Sequence, residues 1–414
     1  MAEPRVVRIR PAVQHYDWGG TEFLPALIGA TNPDRKPWAE LWYGAHPKAP
    51  ATAEMPQGEM PLDAVIAGDS RGWLGEECVQ RFGPALPFLL KVLDARKMLS
   101  IQVHPDREQA QEGFARENAL GIPVHAPHRN YRDRNHKPEV HAAQSEFWML
   151  HGFRRLEEIA GWMERTPEAL SVMPDFAGRL RAEGGDASRR AALLRELYTH
   201  ILHLPQERVD ELLDALLERL ERGAPWPENS HEYWALRAAR EFPLPGGRRD
   251  RGIFSIFLLN LVRLRPGQGT FQPAGILHAY LQGATVELMA NSDNVLRGGL
   301  TPKHVDVDEL LRIVRFEDGA PEVIEGEAVD GAERVYRTPA GEFELSAIRV
   351  EGSRVAREAR SPEILLAMEG AAAVLSGEAA VELQHGQAAL IAAGTAYEVA
   401  AAGGAVLWRA RVPL

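Results

Sequence analysis

The 414-residue chain has a single cysteine, Cys78, so an internal disulfide and a thiolate-rich zinc site are both excluded. Any metal must be held by oxygen and nitrogen. Basic residues are not in excess either: 47 Lys and Arg stand against 58 Asp and Glu, a formal charge of −11. A chain-wide basic field for nucleic acid is thereby ruled out. Long hydrophobic runs are missing too. The longest apolar stretch, residues 253–262, is broken by Ser255 and Asn260 and falls well short of the roughly 20 residues that cross a bilayer. The N-terminal stretch has charges but no apolar core of signal-peptide length, which points to the cytoplasm.

With 45% hydrophobic residues and ordinary Gly and Pro counts, the chain can bury about two or three cored domains. Residues 1–153 read as short strands and long loops, with runs such as Leu86-Pro87-Phe88-Leu89-Leu90 and Ser100-Ile101-Gln102-Val103-His104 between turn residues. From residue 154 the periodicity becomes helical. Leu212, Leu213, Leu216, Leu217 and Leu220 share one face, and Gly223 marks a stop. Strand texture returns at Ile253 to Leu264, and Asp306-Val307-Asp308-Glu309 has capping-box spacing ahead of an apolar helix face. Beyond residue 320 short β-like segments alternate with Gly pairs.

The expected architecture is mainly β with a helical insertion. A cupin-like jelly-roll β domain comprises residues 1–153 and 246–319, an α-helical subdomain residues 154–245, and a second, degenerate cupin-like β domain residues 320–414. An internal repeat supports it. Gly267, Pro273-Ala274-Gly275 and His278 match a cupin turn that delivers a histidine into the barrel. Gly386, Ala392-Ala393-Gly394 and Tyr397 repeat the spacing, with tyrosine for histidine.

On a strand alternate side chains share a face, so Ser100, Gln102 and His104 point one way while Ile101 and Val103 point the other. The Asn135-His136-Lys137-Pro138-Glu139 segment offers Glu139 to a metal, with Lys137 two residues away on the same face. Glu287 lies inside the apolar run Val286 to Ala290, where a buried carboxylate costs several kcal/mol unless it is paired or used.

Tyr131-x-Asp133-x-Asn135-His136-Lys137-Pro138-Glu139 and the stretch from His278 to Lys303 resemble the two signatures of the type I phosphomannose isomerase family, within the cupin superfamily. Tyr16-Asp17-Trp18-Gly19, Ala39-Glu40-Leu41-Trp42, His46-Pro47 and the segment Leu86 to Asp106 extend the likeness to about residue 315, and a looser β domain follows. Gly298 stands where the family usually has alanine.

The resemblance implies an aldose–ketose isomerase exchanging mannose 6-phosphate and fructose 6-phosphate through an enediol(ate), which would feed mannose and GDP-mannose metabolism. It implies one Zn2+ per chain, held by Gln102, His104, Glu139 and His278. Spacing alone would equally allow Fe(II) or Mn(II), and a plain cupin reading would choose Glu108 as the carboxylate ligand.

Arg297 matches the family's active-site arginine. Because it stays protonated, its role is charge stabilisation and positioning. The residues leave the general base open among Glu287, Lys137, Asp293, Lys303 and zinc-bound water. Ser100, Lys91, Lys303 and Arg297 are the expected phosphate group. The implied partner is a phosphorylated hexose, with no nucleic acid, membrane or protein partner, and the chain is expected to be a monomer. Two other classes use a similar barrel: a metal-dependent cupin oxidase or dioxygenase, and a non-catalytic sugar-binding cupin.

Overall fold

The computed structural model describes residues 5–414; residues 1–4, part of the stretch read above for a signal segment, lie outside the described residues. No helix among the described residues is long and apolar enough to cross a membrane. The chain builds two β barrels of the cupin type and a helical subdomain.

The first barrel is organised by one strand, His278–Ala290, which runs thirteen residues. Its C-terminal half pairs with Phe88–Ala95 on one side and Glu139–Ala143 on the other, while its first residues pair with Phe147–Phe153 and, at His278, with Gln102. Strands contributed by four separate stretches of sequence therefore meet on a single backbone. Leu296–Gly299 closes this side by pairing with Ile101–Val103, which puts Arg297 opposite Gln102.

The helical subdomain contains six helices between Leu156 and Glu241. Helix Gln206–Gly223 buries Val209, Leu212, Leu213, Leu216, Leu217 and Leu220, the stripe expected of an amphipathic helix. Side-chain caps start two of its neighbours: Asp186 accepts from the Arg189 N–H and Ser230 from the Tyr233 N–H.

Two expectations need correction. Residues 253–258, taken for strand, form the helix Gly252–Leu258, and the strand begins at Leu259. All seven residues of that helix are buried, so it has no polar face whose periodicity could separate it from a buried strand. Within residues 1–153, read as strands and loops, the structure has the helices Phe23–Leu27, Leu62–Gly68, Ser70–Leu74 and Glu76–Phe82 and, longest, Arg107–Ala119. Its apolar stripe is too thin to read, and a reciprocal capping box between Asp106 and Gln109 marks its start.

Six C-terminal strands form a nine-stranded sheet with Val6–Arg10, Thr52–Met55 and Gly58–Pro61, and four others, Val355–Ala359, Ala372–Ser376, Ala379–Leu383 and Thr395–Ala400, form a second sheet. Val6 pairs with Ile391 and Ile9 with Ala388, so the first and last strands share the larger sheet.

Strand register makes the internal repeat a residue-by-residue correspondence. Gly267 and Gly275 have φ of +84° and +82°, and their counterparts Gly386 and Gly394 both have +76°, a region in which L side chains are strained. In the first barrel Gln272 opposes Glu139 and Gly269 opposes Ala142. In the second, Ile391 opposes Glu363 and Ala388 opposes Leu366. Glu363 thus holds the place of Glu139 and Tyr397 that of His278.

Pairing outward, Arg357 opposes Tyr397 as Gln102 opposes His278, and Arg409 opposes Leu365 as Glu287 opposes His141. Glu333 likewise stands where Glu40 stands.

The second barrel has therefore kept two carboxylates, at the places of Glu139 and Glu40, and put arginine where the first has Gln102 and Glu287. Arg409 Nε donates to Glu363 Oε2 at 2.8 Å, Arg409 Nη1 to Glu333 Oε1 at 3.0 Å, and the Tyr397 hydroxyl to Glu363 Oε2 at 2.6 Å. Removing one partner of so buried a network strands the other charge. Arg409→Met should lower stability by about 3–5 kcal/mol in urea unfolding. A loss under 1 kcal/mol would show that Glu363 and Glu333 do not depend on it.

Candidate functional site

The strand His278–Ala290 and its neighbours line a cleft of about 860 Å³. At its floor lie His104, Glu139 and His278, all buried, with one ligand atom from each within 4.8 Å of the others. His104 Nδ1 donates to the Asn294 carbonyl at 2.8 Å and His278 Nδ1 to the Ile276 carbonyl at 3.0 Å. These bonds fix the tautomers and aim both Nε2 lone pairs inward.

Neither buried Nε2 has a hydrogen-bond partner. They stand 3.5 and 3.4 Å from the two oxygens of Glu139. Donors bound tetrahedrally to one zinc ion at about 2.0–2.1 Å are separated by about 3.3 Å, so the set fits a divalent ion. Gln102, half-buried, is the register partner of His278 and lines the same cleft. Glu108, the carboxylate of the plain cupin reading, is exposed on the helix Arg107–Ala119; the fold gathers Glu139 instead.

Charges beside this floor are paired. Lys137 Nζ donates to Glu139 Oε1 at 2.6 Å. Burial opposes the Glu139 charge, but Lys137 and His104 hold its carboxyl well below the usual range. Burial, reinforced by Lys137, pushes His104 down to about 4, so its ring is neutral and free to act as a ligand at neutral pH.

Glu287, deeply buried, accepts from Lys91 Nζ at 3.1 Å and from the Tyr280 hydroxyl at 2.7 Å. Its apolar neighbours in sequence belong to the opposite strand face. Burial raises its proton affinity, and Lys91 works against that rise. Lys91 lies 4.0 Å from Glu40 and 5.5 Å from the Trp42 ring centre. Although burial disfavours its charge, Glu40 and Glu287 keep it protonated. Asp293 faces His46, with Oδ2 and Nε2 3.8 Å apart.

The other wall is cationic. Arg297, Lys303, Arg132 and Lys48 line the cleft, and none has a carboxylate within 4.0 Å among the described residues. Burial first, then the Arg132 charge, lowers Arg297; burial, Arg297 and Arg132 lower Lys303. Ser100 is part of the lining. At Gly298 a Cβ would come 3.2 Å from the Tyr198 hydroxyl and 3.4 Å from Ile101 Cγ2, so the glycine relieves a close contact behind Arg297.

Apart from Glu108, the candidate site residues singled out from sequence line or floor this cleft. Missed were Arg132, one of three arginines in residues 129–134, and Lys48, with no periodicity to mark either. Tyr280 was also missed, although its place two residues after His278 could have revealed it.

The fold and the site together define a cupin-type protein with a nitrogen- and oxygen-ligand metal centre at the base of a cation-lined cleft. The sequence model of the family "Phosphomannose isomerase type I, catalytic domain" matches residues 6–156. The mannose-6-phosphate isomerase of Escherichia coli strain K12 is 39% identical over 386 residues, covering 92% of this chain and 93% of that protein. The human mannose-6-phosphate isomerase is 31% identical over 416 residues, 95% of each.

A crystal structure of mannose 6-phosphate isomerase from Salmonella typhimurium bound to its substrate, fructose 6-phosphate, and to zinc superposes with a TM-score of 0.88 at 35% identity, covering 99% of this chain and all of that one. The chain belongs to the type I phosphomannose isomerase family.

The metal assignment has a direct check. Glu139→Ala should abolish retention of zinc after gel filtration while Glu108→Ala retains it, as measured by elemental analysis. The reverse pattern would move the carboxylate ligand to the exposed helix.

Proposed function

We propose that this chain interconverts D-mannose 6-phosphate and D-fructose 6-phosphate at a single zinc centre. The observation that carries the reading is the polarity of the cleft. Two partnerless imidazole nitrogens and a carboxylate meet at the floor, and cations with no carboxylate within 4.0 Å among the described residues line the same cleft. The relatives' names and the neighbour's substrate and zinc point the same way.

Gln102, His104, Glu139 and His278 would hold the zinc, which supplies Lewis-acid polarisation of the sugar's oxygens. Arg297, Lys303 and Ser100 grip the phosphate dianion through charge-assisted hydrogen bonds, which fixes how far C1 and C2 reach toward the floor. In the direction of the ketose, the C2 proton is taken up and returned at C1 while the O2 hydroxyl proton passes to O1, by way of an enediol(ate).

Glu287 is the proposed carrier of the carbon-bound proton. It lines the cleft, and the Tyr280 hydroxyl and Lys91 orient its carboxylate. Burial brings its proton affinity closer to the working range, as a general base requires. Lys137 and Asp293 order the floor and the wall around it. The proposed form is a cytoplasmic monomer whose product joins mannose and GDP-mannose metabolism.

Stripping the protein with a chelator and restoring zinc should remove and then recover conversion of mannose 6-phosphate to fructose 6-phosphate. No conversion by either form overturns the proposal, and conversion indifferent to metal overturns the role of the four ligands. Glu287→Gln keeps the shape of the side chain and should lower kcat by about 10²–10⁴-fold with little change in KM, followed by steady-state kinetics. A near-native kcat would pass the proton role to another group.

A further inference from the structure

The cationic wall contains one more guanidinium than the reading above uses. Arg132 lines the same cleft as Arg297 and Lys303, in a loop held by buried hydrogen bonds. Its backbone N–H donates to Asn294 Oδ1 at 2.7 Å. Asn294 is fully buried, and its Nδ2 donates to the Asp133 carbonyl at 3.0 Å and the Asn135 carbonyl at 2.8 Å. The main-chain carbonyl of the same residue receives the His104 ring at 2.8 Å. One buried asparagine therefore sets the backbone of Arg132 relative to the floor of the cleft.

The carboxylate nearest in sequence is occupied elsewhere. Asp133 accepts from the Ser292 hydroxyl at 2.9 Å, the Asp293 N–H at 2.7 Å and the Asn135 N–H at 2.9 Å. Arg132 is left with no carboxylate within 4.0 Å among the described residues, and its charge disfavours those of Arg297 and Lys303. Three like charges in a partly buried wall repel one another, and a dianion placed between them removes the repulsion. A phosphate monoester carries a charge of about −1.5 to −2 at neutral pH, and a guanidinium fork meets its oxygens in pairs.

We propose that Arg132, positioned by Asn294, is a specificity residue that binds the phosphoryl group of the substrate together with Arg297 and Lys303. It selects phosphorylated over neutral hexoses. The inference rests on the isomerase reading for the identity of the sugar, but the phosphate site can be tested without it.

The zinc-loaded wild type, Arg132→Ala and Arg132→Lys would be compared in steady-state kinetics with mannose 6-phosphate, with inorganic phosphate as competitive inhibitor. Calorimetric titration with inorganic phosphate alone would accompany the kinetics. For Arg132→Ala, KM and the inhibition constant for phosphate should both rise about 10-fold or more, the scale of a charge-assisted hydrogen bond. Its kcat should stay within about threefold, and zinc content and Tm should be unchanged. Arg132→Lys should recover part of the binding.

A folded Arg132→Ala protein with unaltered KM and phosphate affinity overturns the proposal. So does a joint fall in Tm, zinc content and kcat with phosphate affinity intact, which would mark a purely structural residue. If the wild type does not turn over mannose 6-phosphate, the isomerase reading fails. Calorimetry then decides this inference separately: phosphate binding lost in Arg132→Ala supports it, and equal binding or none in the wild type overturns it.

Discussion

Burial of the Glu139 carboxylate is the constraint around which the rest of the cleft is built. An anion with 2% exposure is several kcal/mol unfavourable unless positive charge or strong donors come to it. Here Lys137 reaches it directly, and two neutral imidazoles face it with their lone pairs. Lone pairs do not stabilise an anion. The arrangement is completed by a cation between them, and that requirement dictates the backbone carbonyls at Asn294 and Ile276, which hold the rings in the ligand tautomer.

The second barrel presents the same constraint with a different solution. Glu363 occupies the position of Glu139, but Ala359 and Tyr397 stand where the ligand histidines would be, and Arg409 supplies the positive charge from within the chain. A covalently attached guanidinium satisfies the carboxylate permanently and leaves no open coordination position. The Glu40–Lys91–Glu287 cluster of the first barrel and the Glu333–Arg409–Glu363 cluster of the second are two ways of setting a cation between buried carboxylates on one β scaffold. Only the first faces a cleft lined by free cations.

Three of the candidate ligands were legible from local rules, while the choice of Glu139 came only with the family resemblance. Gln102 and His104 alternate on one strand face, and His278 follows a turn whose glycine needs a positive φ. The order of two long signatures supplied the family. The helix Gly252–Leu258 was not legible, since burial on every side erases the contrast on which periodicity depends. Nor were Arg132 and Lys48: a cation in a loop reads as surface charge until the fold shows that it faces a cleft and has no carboxylate partner.

By itself the sequence determined the chemistry available: one cysteine, an acidic balance, a histidine and carboxylate set, and a repeat that places tyrosine opposite histidine. These follow from composition and from spacing along one chain, where neighbours share a face by geometry alone. Only the tertiary structure decided how close Glu139 comes to the two histidines, which cations are left unpaired, and how the first and last strands enter one sheet. Such facts depend on strand register and burial, and residues far apart in sequence acquire their electrostatic partners only when the barrel closes.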